Sequence, residues 1–169
     1  MRIRQIRNAT LVIDYAGSRL LVDPWFEAAG TGMLATSPWP ERNVRSPLVD
    51  LPCTVEEVLD GIDAVVVTHV HPDHFEEHSA ALMDHTLPLY VQNEADAAVI
   101  AAWGFTDVRL LLDEGATFGG LTLTRARPAR PHTGDRLWPG MRRGACGARR
   151  THAVPGERHC VVFGGRSQS

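Results

Sequence analysis

A short apolar run followed by a dense cluster of histidines constrains this chain more than any other stretch. Residues 64–68 read A-V-V-V-T, an apolar and β-branched run that is typical of a strand buried on both faces. The next six positions hold three imidazoles and one carboxylate, at His69, His71, Asp73 and His74. These groups are common ligands of zinc and similar metal ions. The stretch therefore predicts a buried strand that ends at a metal site.

The spacing within the cluster predicts how its side chains converge. His69 and His71 are two residues apart, so an extended backbone would project both to the same side. Pro72 suits the first turn of a helix, where its missing N–H costs nothing, and a helix dipole would favour the negative charge of Asp73. His74, three residues beyond His71, would turn back toward the same point. Scattered surface histidines with a helix-capping aspartate are the weaker interpretation at this density.

The segment T-H-V-H-P-D-H carries a resemblance to a known family. It resembles the H-x-H-x-D-H signature of the metallo-β-lactamase superfamily of metal-dependent hydrolases. Residues 6–26 and the run L-P-L-Y-V-Q-N-E-A-D-A at 87–97 are similar to one branch, the ascorbate-6-phosphate lactonase-like hydrolases. The similarity covers about residues 1–124. It implies the α/β, αββα sandwich fold of the superfamily and a metal-activated water that attacks a lactone, ester or phosphoester of a small molecule.

The resemblance also implies a ligand set for one or two metal ions. His69, His71 and His132, which lies in P-H-T-G-D, would hold the first ion, and Asp73 and His74 would belong to a second. Asp73 would be the catalytic residue that orients the attacking water and carries its proton to the leaving group. For His132, a solvated histidine of the C-terminal tail is an equal alternative. Zinc is the expected ion, and manganese or iron would also suit these ligands.

Asp23 is expected to lie close to this site. It matches the strand-end aspartate of the family, which approaches the metal site from outside the ligand set. The alternative interpretation is a turn-forming aspartate before Pro24. In the branch, a histidine commonly precedes the Ala-Thr pair that stands here at 9–10, whereas this chain has Asn8.

The remaining patterns predict an opening β-meander and then alternating helices and strands, as an α/β fold requires. The predicted elements are strands at Arg2–Ile6, Thr10–Tyr15, Arg19–Val22, Leu89–Val91, Val108–Leu112 and Leu121–Thr124, and helices at Thr54–Leu59, Phe75–His85 and Asn93–Trp103. Between them, residues 25–52 form a long Gly- and Pro-rich loop, which in a compact domain is usually functional. Its large side chains would line a substrate pocket or anchor the loop to the core: Trp25, Phe26, Met33 and Trp39.

The pattern changes after Thr124. Residues 1–124 hold 7 Arg against 18 Asp and Glu, whereas residues 125–169 hold 10 Arg against 2 acids, and the chain has no Lys. The superfamily would continue with a Gly-Asp pair and a late histidine, but Gly164 and Gly165 stand where the pair is expected. Residues 125–169 would be an out-of-frame or truncated end, a basic arm, or a divergent end of the same domain, and much of this tail would be disordered. An out-of-frame or truncated end is favoured. Without the Gly-Asp pair and the late histidine, the chain is predicted to hold one metal ion tightly and a second one weakly or not at all.

Composition narrows the remaining function classes. The chain of 169 residues suits one domain, and its three cysteines are widely spaced, which fits a reducing cytoplasm. No apolar run approaches the roughly 18 residues that span a bilayer. The acidic ligand-bearing part argues against nucleic acid as a partner. A phosphodiesterase or nuclease of the same superfamily, and a metal-binding remnant without turnover, are the alternatives to a small-molecule hydrolase. The oligomeric state is left open.

Overall fold

The computed structural model of the protein describes residues 1–32, 34–35, 39, 43–126 and 160–165. For Ala126 and for 160–165 it describes the backbone only. Met33, His132 and most of the basic tail lie outside these residues, and the predictions for them stay predictions.

Eleven strands and three helices are formed by the described residues. In chain order they are β1 (Arg2–Arg7), β2 (Thr10–Tyr15), β3 (Ser18–Val22), β4 (Leu34–Ala35), β5 (Val44–Arg45), α1 (Val55–Leu59), β6 (Ala64–Val66), α2 (Glu77–Ala81), β7 (Leu89–Val91), α3 (Glu94–Ala102), β8 (Val108–Leu110), β9 (Ala116–Phe118), β10 (Leu121–Ala126) and β11 (Cys160–Gly165). None of these helices is both long and apolar enough to cross a membrane.

The described strands form one large mixed sheet, a smaller three-stranded sheet and the antiparallel pair β4-β5. The large sheet has the order β1-β2-β3-β6-β7-β8. The predicted meander supplies its antiparallel part, and β3, β6, β7 and β8 run parallel to one another. The smaller sheet is antiparallel, in the order β11-β10-β9, so the backbone at 160–165 returns to pair with β10. Because the carboxyl ends of parallel strands meet at one edge, residues that follow β3, β6 and β7 come together there.

Two apolar clusters separate these elements into layers. One face of the large sheet packs against the helices through residues such as Val58, Ala80 and Ile100. The other face packs against the small sheet through Leu121 and Leu123. The run at 64–67 is fully buried and its residues alternate between the two clusters, which confirms the prediction of a strand buried on both faces. The α/β class is confirmed as well, with layers of helix, sheet and sheet in the described residues.

Two helices begin as predicted, and one does not. Thr54 and Glu57 form the capping box of α1, and Asn93 caps α3. The helix predicted over Phe75–His85 is shorter in the structure, where α2 spans Glu77–Ala81, and the prediction that Pro72 and Asp73 lie in a first helical turn is wrong. The backbone N–H groups of residues 74 and 75 both donate to the carbonyl of His71, which closes a turn instead of a helix. The Glu76 carboxylate then accepts the next free N–H groups and sets the start of α2.

The loop after β3 is fixed to the core at its start. Trp25 and Phe26 are buried, and the backbone N–H of Phe26 donates to the Ser79 hydroxyl at 2.8 Å. These two aromatic residues therefore anchor the loop and do not line an open pocket, which decides between the two alternatives for them. Trp39 is 56% exposed. Of the described aromatic residues of this loop, Trp39 is therefore the one whose side chain is exposed to solvent.

Candidate metal centre

In the predicted cluster the His69 imidazole contacts the rings of both His71 and His74. The ring centroids of His69 and His71 are 4.5 Å apart, and those of His69 and His74 are 3.9 Å apart. His71 is exposed, whereas His69, His74 and Asp73 are half-buried. The cluster follows β6 at the carboxyl edge of the sheet. The structure thus brings together the three histidines that the sequence pattern selected, in the turn that connects β6 to α2.

Asp23 joins this cluster from the end of the neighbouring strand β3. Its buried carboxylate accepts hydrogen bonds from the Thr68 N–H at 2.7 Å, from the Thr68 hydroxyl at 2.7 Å and from Nδ1 of His74 at 2.8 Å. Its backbone adopts a positive φ of 45°, a conformation that Asp tolerates better than most residues. Asp23 is therefore both a residue of the turn before Pro24 and a direct contact of the cluster.

This network determines which ring nitrogens are left free. The single proton of the Thr68 hydroxyl is donated to Asp23, so the hydroxyl oxygen accepts from Nδ1 of His69 at 3.0 Å. Nδ1 of His74 likewise carries a proton, because its partner is a carboxylate. In the neutral rings, Nε2 of His69 and Nε2 of His74 then present lone pairs. A histidine whose other nitrogen donates in this way is the usual metal ligand.

The pKa values of these two histidines shift in opposite directions. The hydrogen bond to Asp23 raises the pKa of His74, because the carboxylate stabilises the imidazolium. Burial lowers the pKa of His69, and the neighbouring His74 and His71 add to that effect. A lowered pKa keeps the His69 ring neutral, which is the form that a metal requires.

The donor set fits a metal ion, although its atoms do not already surround one point. Among the residues that the structure describes, no three His, Cys, Asp or Glu side chains are arranged to hold a metal ion. The rings of His69 and His74 touch, so they would have to move apart to admit an ion. The free Nε2 atoms and the nearby Asp73 carboxylate supply suitable ligands for that arrangement. The predicted ligand His132 lies outside the described residues.

Two contacts of the cluster are not predicted from the sequence. Thr68 stands in the sequence only as the end of the apolar run, although its hydroxyl connects Asp23 to His69. Asp96, in the first turn of α3, accepts a hydrogen bond from the backbone N–H of Val70 at 3.3 Å. Asp96 stands in the run at 87–97 that is similar to the lactonase-like branch, three residues after Asn93, which marks a helix start; neither signal connects Asp96 to the cluster.

The fold and the cluster agree with the family that the chain matches. The model of the beta-lactamase superfamily domain matches residues 18–153. The chain belongs to the metallo-β-lactamase superfamily. The match begins at β3 and covers the whole H-x-H-x-D-H segment.

The chain is similar to several proteins, two of which are named hydrolases. The UPF0173 protein YddR of Bacillus subtilis is 41% identical over 128 residues, which are 75% of this chain and 49% of that protein. An isothiocyanate hydrolase of known structure from Delia radicum gut bacteria has 38% sequence identity and a TM-score of 0.67. The match covers 75% of this chain and 48% of that protein. A possible metal-dependent hydrolase from Veillonella parvula is 28% identical with a TM-score of 0.72, and the match covers 96% of this chain and 58% of that protein. The chain thus spans about half the length of these relatives.

Proposed function

We propose that the protein is a metal-dependent hydrolase, in which a metal-activated water attacks a lactone, ester or phosphoester of a small molecule. The observation that carries this proposal is the contact of His69 with both His71 and His74. Nδ1 of His69 and Nδ1 of His74 are engaged in hydrogen bonds, so Nε2 of each is free to bind a metal ion. The names of the relatives support hydrolysis with a metal as the reaction class.

The proposed roles follow the two sets of ligands. His69, His71 and His132 would hold the first ion, and Asp73 and His74 would belong to the second. Zinc, or manganese or iron with the same ligands, would lower the pKa of a water molecule at this site toward neutrality. Asp73 orients the attacking water through a carboxylate oxygen and carries its proton to the leaving group. Asp23 keeps the His74 ring in place through the bond to Nδ1.

A second candidate substrate class is an isothiocyanate, favoured by the 38% identity to an isothiocyanate hydrolase. In that reaction a water oxygen bonds to the central carbon of R–N=C=S, and the carbon–nitrogen bond breaks. Both protons of the water end on the nitrogen, so the products are R–NH₂ and O=C=S. The same histidine cluster would serve, because the attacked atom is an electrophilic carbon, as it is in a lactone or an ester.

Replacement of His71 by alanine is expected to abolish hydrolysis. The measurement is turnover of lactones, esters, phosphodiesters and an aryl isothiocyanate, with and without added zinc or manganese. On whichever substrate is turned over, the rate of His71→Ala should fall to that of chelator-treated wild type, because the substitution removes a ligand of the proposed first ion.

His78→Ala is the matched control, since the His78 ring is exposed and lies outside the ring contacts of the cluster. It should retain the wild-type rate. Activity that survives His71→Ala would contradict the metal mechanism. Zinc binding without turnover on any of these substrates would instead indicate a non-catalytic metal-binding protein, and turnover confined to phosphodiesters would favour the phosphodiesterase alternative.

A further inference from the structure

The backbone around His69 is held by side chains and not by the sheet. The last hydrogen bond that continues the pairing of β6 with β7 runs from the Val67 N–H to the Tyr90 carbonyl, at 2.9 Å. Beyond it, the N–H of Thr68 donates to Asp23, and the N–H of Val70 donates to Asp96. The two peptide N–H groups that flank His69 are therefore each bound by a carboxylate from another part of the chain.

These two carboxylates reach the cluster from opposite sides of β6. Asp23 follows β3, which pairs with β6 on one side. Asp96 belongs to α3, which follows β7, the strand that pairs with β6 on the other side. We propose that Asp96 is a positioning residue of the metal centre, which fixes the backbone between His69 and His71 and thereby strengthens metal binding. The inference rests on the proposed function, since it concerns the affinity of that site.

Asp96 is itself held in one orientation. Its backbone N–H donates to Oδ1 of Asn93 at 2.8 Å, and Nδ2 of Asn93 donates back to Oδ2 of Asp96 at 3.0 Å. The same Oδ2 accepts the bond from Val70. The start of a helix also favours a negative charge in its first turn. The carboxylate is thus fixed before the cluster binds anything, and it can restrain Val70 at little further entropic cost.

Restraint of Val70 should act on the affinity for the metal. His69 and His71 flank Val70 directly, so motion of this peptide would spread the positions of both rings. A preorganised ligand loses less conformational entropy on binding. The negative charge of Asp96 also favours a cation nearby. Groups that orient metal ligands from outside the coordination sphere typically change metal affinity by about 10–100-fold.

The test compares the zinc dissociation constants of Asp96→Ala and Asp96→Asn by competition with a chelating dye. Asp96→Ala should bind zinc about 10–100-fold more weakly than wild type. Asp96→Asn keeps an oxygen that can accept from both Val70 and Asn93, so it should bind more tightly than Asp96→Ala. The absorption spectrum of the cobalt form should change in Asp96→Ala and be restored in Asp96→Asn.

Asp84→Ala is the matched control. Asp84 also accepts from a nearby backbone N–H, that of Thr86 at 2.8 Å, and belongs to the turn after α2. Its loss should lower the melting temperature without changing the zinc dissociation constant. If Asp96→Ala binds zinc within twofold of wild type, or no more weakly than Asp84→Ala, the positioning role is wrong.

Amide hydrogen exchange at Val70 in the metal-free protein separates this inference from the proposed function. Faster exchange in Asp96→Ala, and not in Asp84→Ala, supports the restraint. Unchanged exchange overturns it. Wild-type protein that binds no zinc would contradict the proposed function, and the exchange at Val70 would still decide whether Asp96 restrains this backbone.

Discussion

Replacement of Asp23 by alanine is expected to cause the largest loss of metal affinity of any single substitution outside the histidine cluster. The substitution leaves the Thr68 N–H and the Nδ1–H of His74 without their acceptor. Each buried donor left without a partner costs about 1–3 kcal/mol. Alanine also tolerates the positive φ at this position poorly. We therefore expect a lower free energy of unfolding together with zinc affinity reduced by more than about 100-fold, since one change removes the support of both His69 and His74.

Asp23→Asn separates folding from metal binding. Asparagine has nearly the same volume and tolerates a positive φ, so this variant should fold. In Asp23 the Thr68 N–H and Nδ1 of His74 bind different carboxylate oxygens, and asparagine replaces one of these oxygens with an NH₂ group that cannot accept a hydrogen bond. Chemical denaturation and dye competition for zinc would be measured side by side. Zinc affinity that is unchanged in Asp23→Asn would show that the carboxylate does not orient the ligands.

Replacement of Arg7 by methionine is expected to cause the second large effect, this time on stability. Arg7 is 5% exposed, and its guanidinium donates to the carbonyls of Trp25, Glu27 and Val49. The first two carbonyls lie at the start of the long loop and the third at its end, so one side chain holds both ends together. Trp25 also packs on the guanidinium, 5.5 Å from the ring centroid.

The cost of burying Arg7 opposes this stabilisation. Burial lowers the pKa of Arg7, and the carboxylates of Asp50 and Glu27 only partly offset that effect. A buried charge can often be replaced by an apolar residue of similar volume without loss. Here the three carbonyls would stay in the loop without a donor, at about 1–3 kcal/mol for each one that water cannot reach. The loss of partners therefore outweighs the relief of burial, and Arg7→Met should lower the free energy of unfolding by about 3 kcal/mol.

Urea denaturation measures this difference, with Arg4→Met as the control. Arg4 lies on the same strand and is exposed, so its replacement should change the free energy of unfolding by less than about 0.5 kcal/mol. Equal stability of Arg7→Met and Arg4→Met would contradict the role of Arg7 in holding the loop. Zinc affinity should fall less in Arg7→Met than in Asp23→Asn, because Arg7 contacts the loop and not the histidines.

Local patterns are enough to predict the strand at 64–66 and the cluster after it. The run A-V-V-V needs apolar surroundings on both faces, and only the centre of a layered sheet supplies them. The capping residues Thr54 and Asn93 likewise act on N–H groups two or three positions away, so their effect is visible in the sequence. These features depend on neighbours in the chain, and the structure confirms the strand and both helix caps.

The contacts that organise the cluster depend on residues that are distant in the chain. His74 and Asp23 are 51 positions apart, and Val70 and Asp96 are 26 apart. Nothing in the spacing of the sequence indicates such pairs. The predicted helix start at Pro72 is wrong because the Glu76 carboxylate accepts from the N–H groups of residues 78 and 79, which a helix from Pro72 would bond to the carbonyls of residues 74 and 75.

The location of the metal is the most direct test of the proposed centre. Crystals of the protein grown with zinc should give a strong anomalous difference peak about 2.0–2.1 Å from imidazole nitrogens of His69 and His71, at the zinc–nitrogen distance. A second peak beside Asp73 and Nε2 of His74 should be weaker. No peak at these rings, or a fully occupied ion elsewhere while the imidazoles face solvent, would contradict the central claim that this turn is a metal centre.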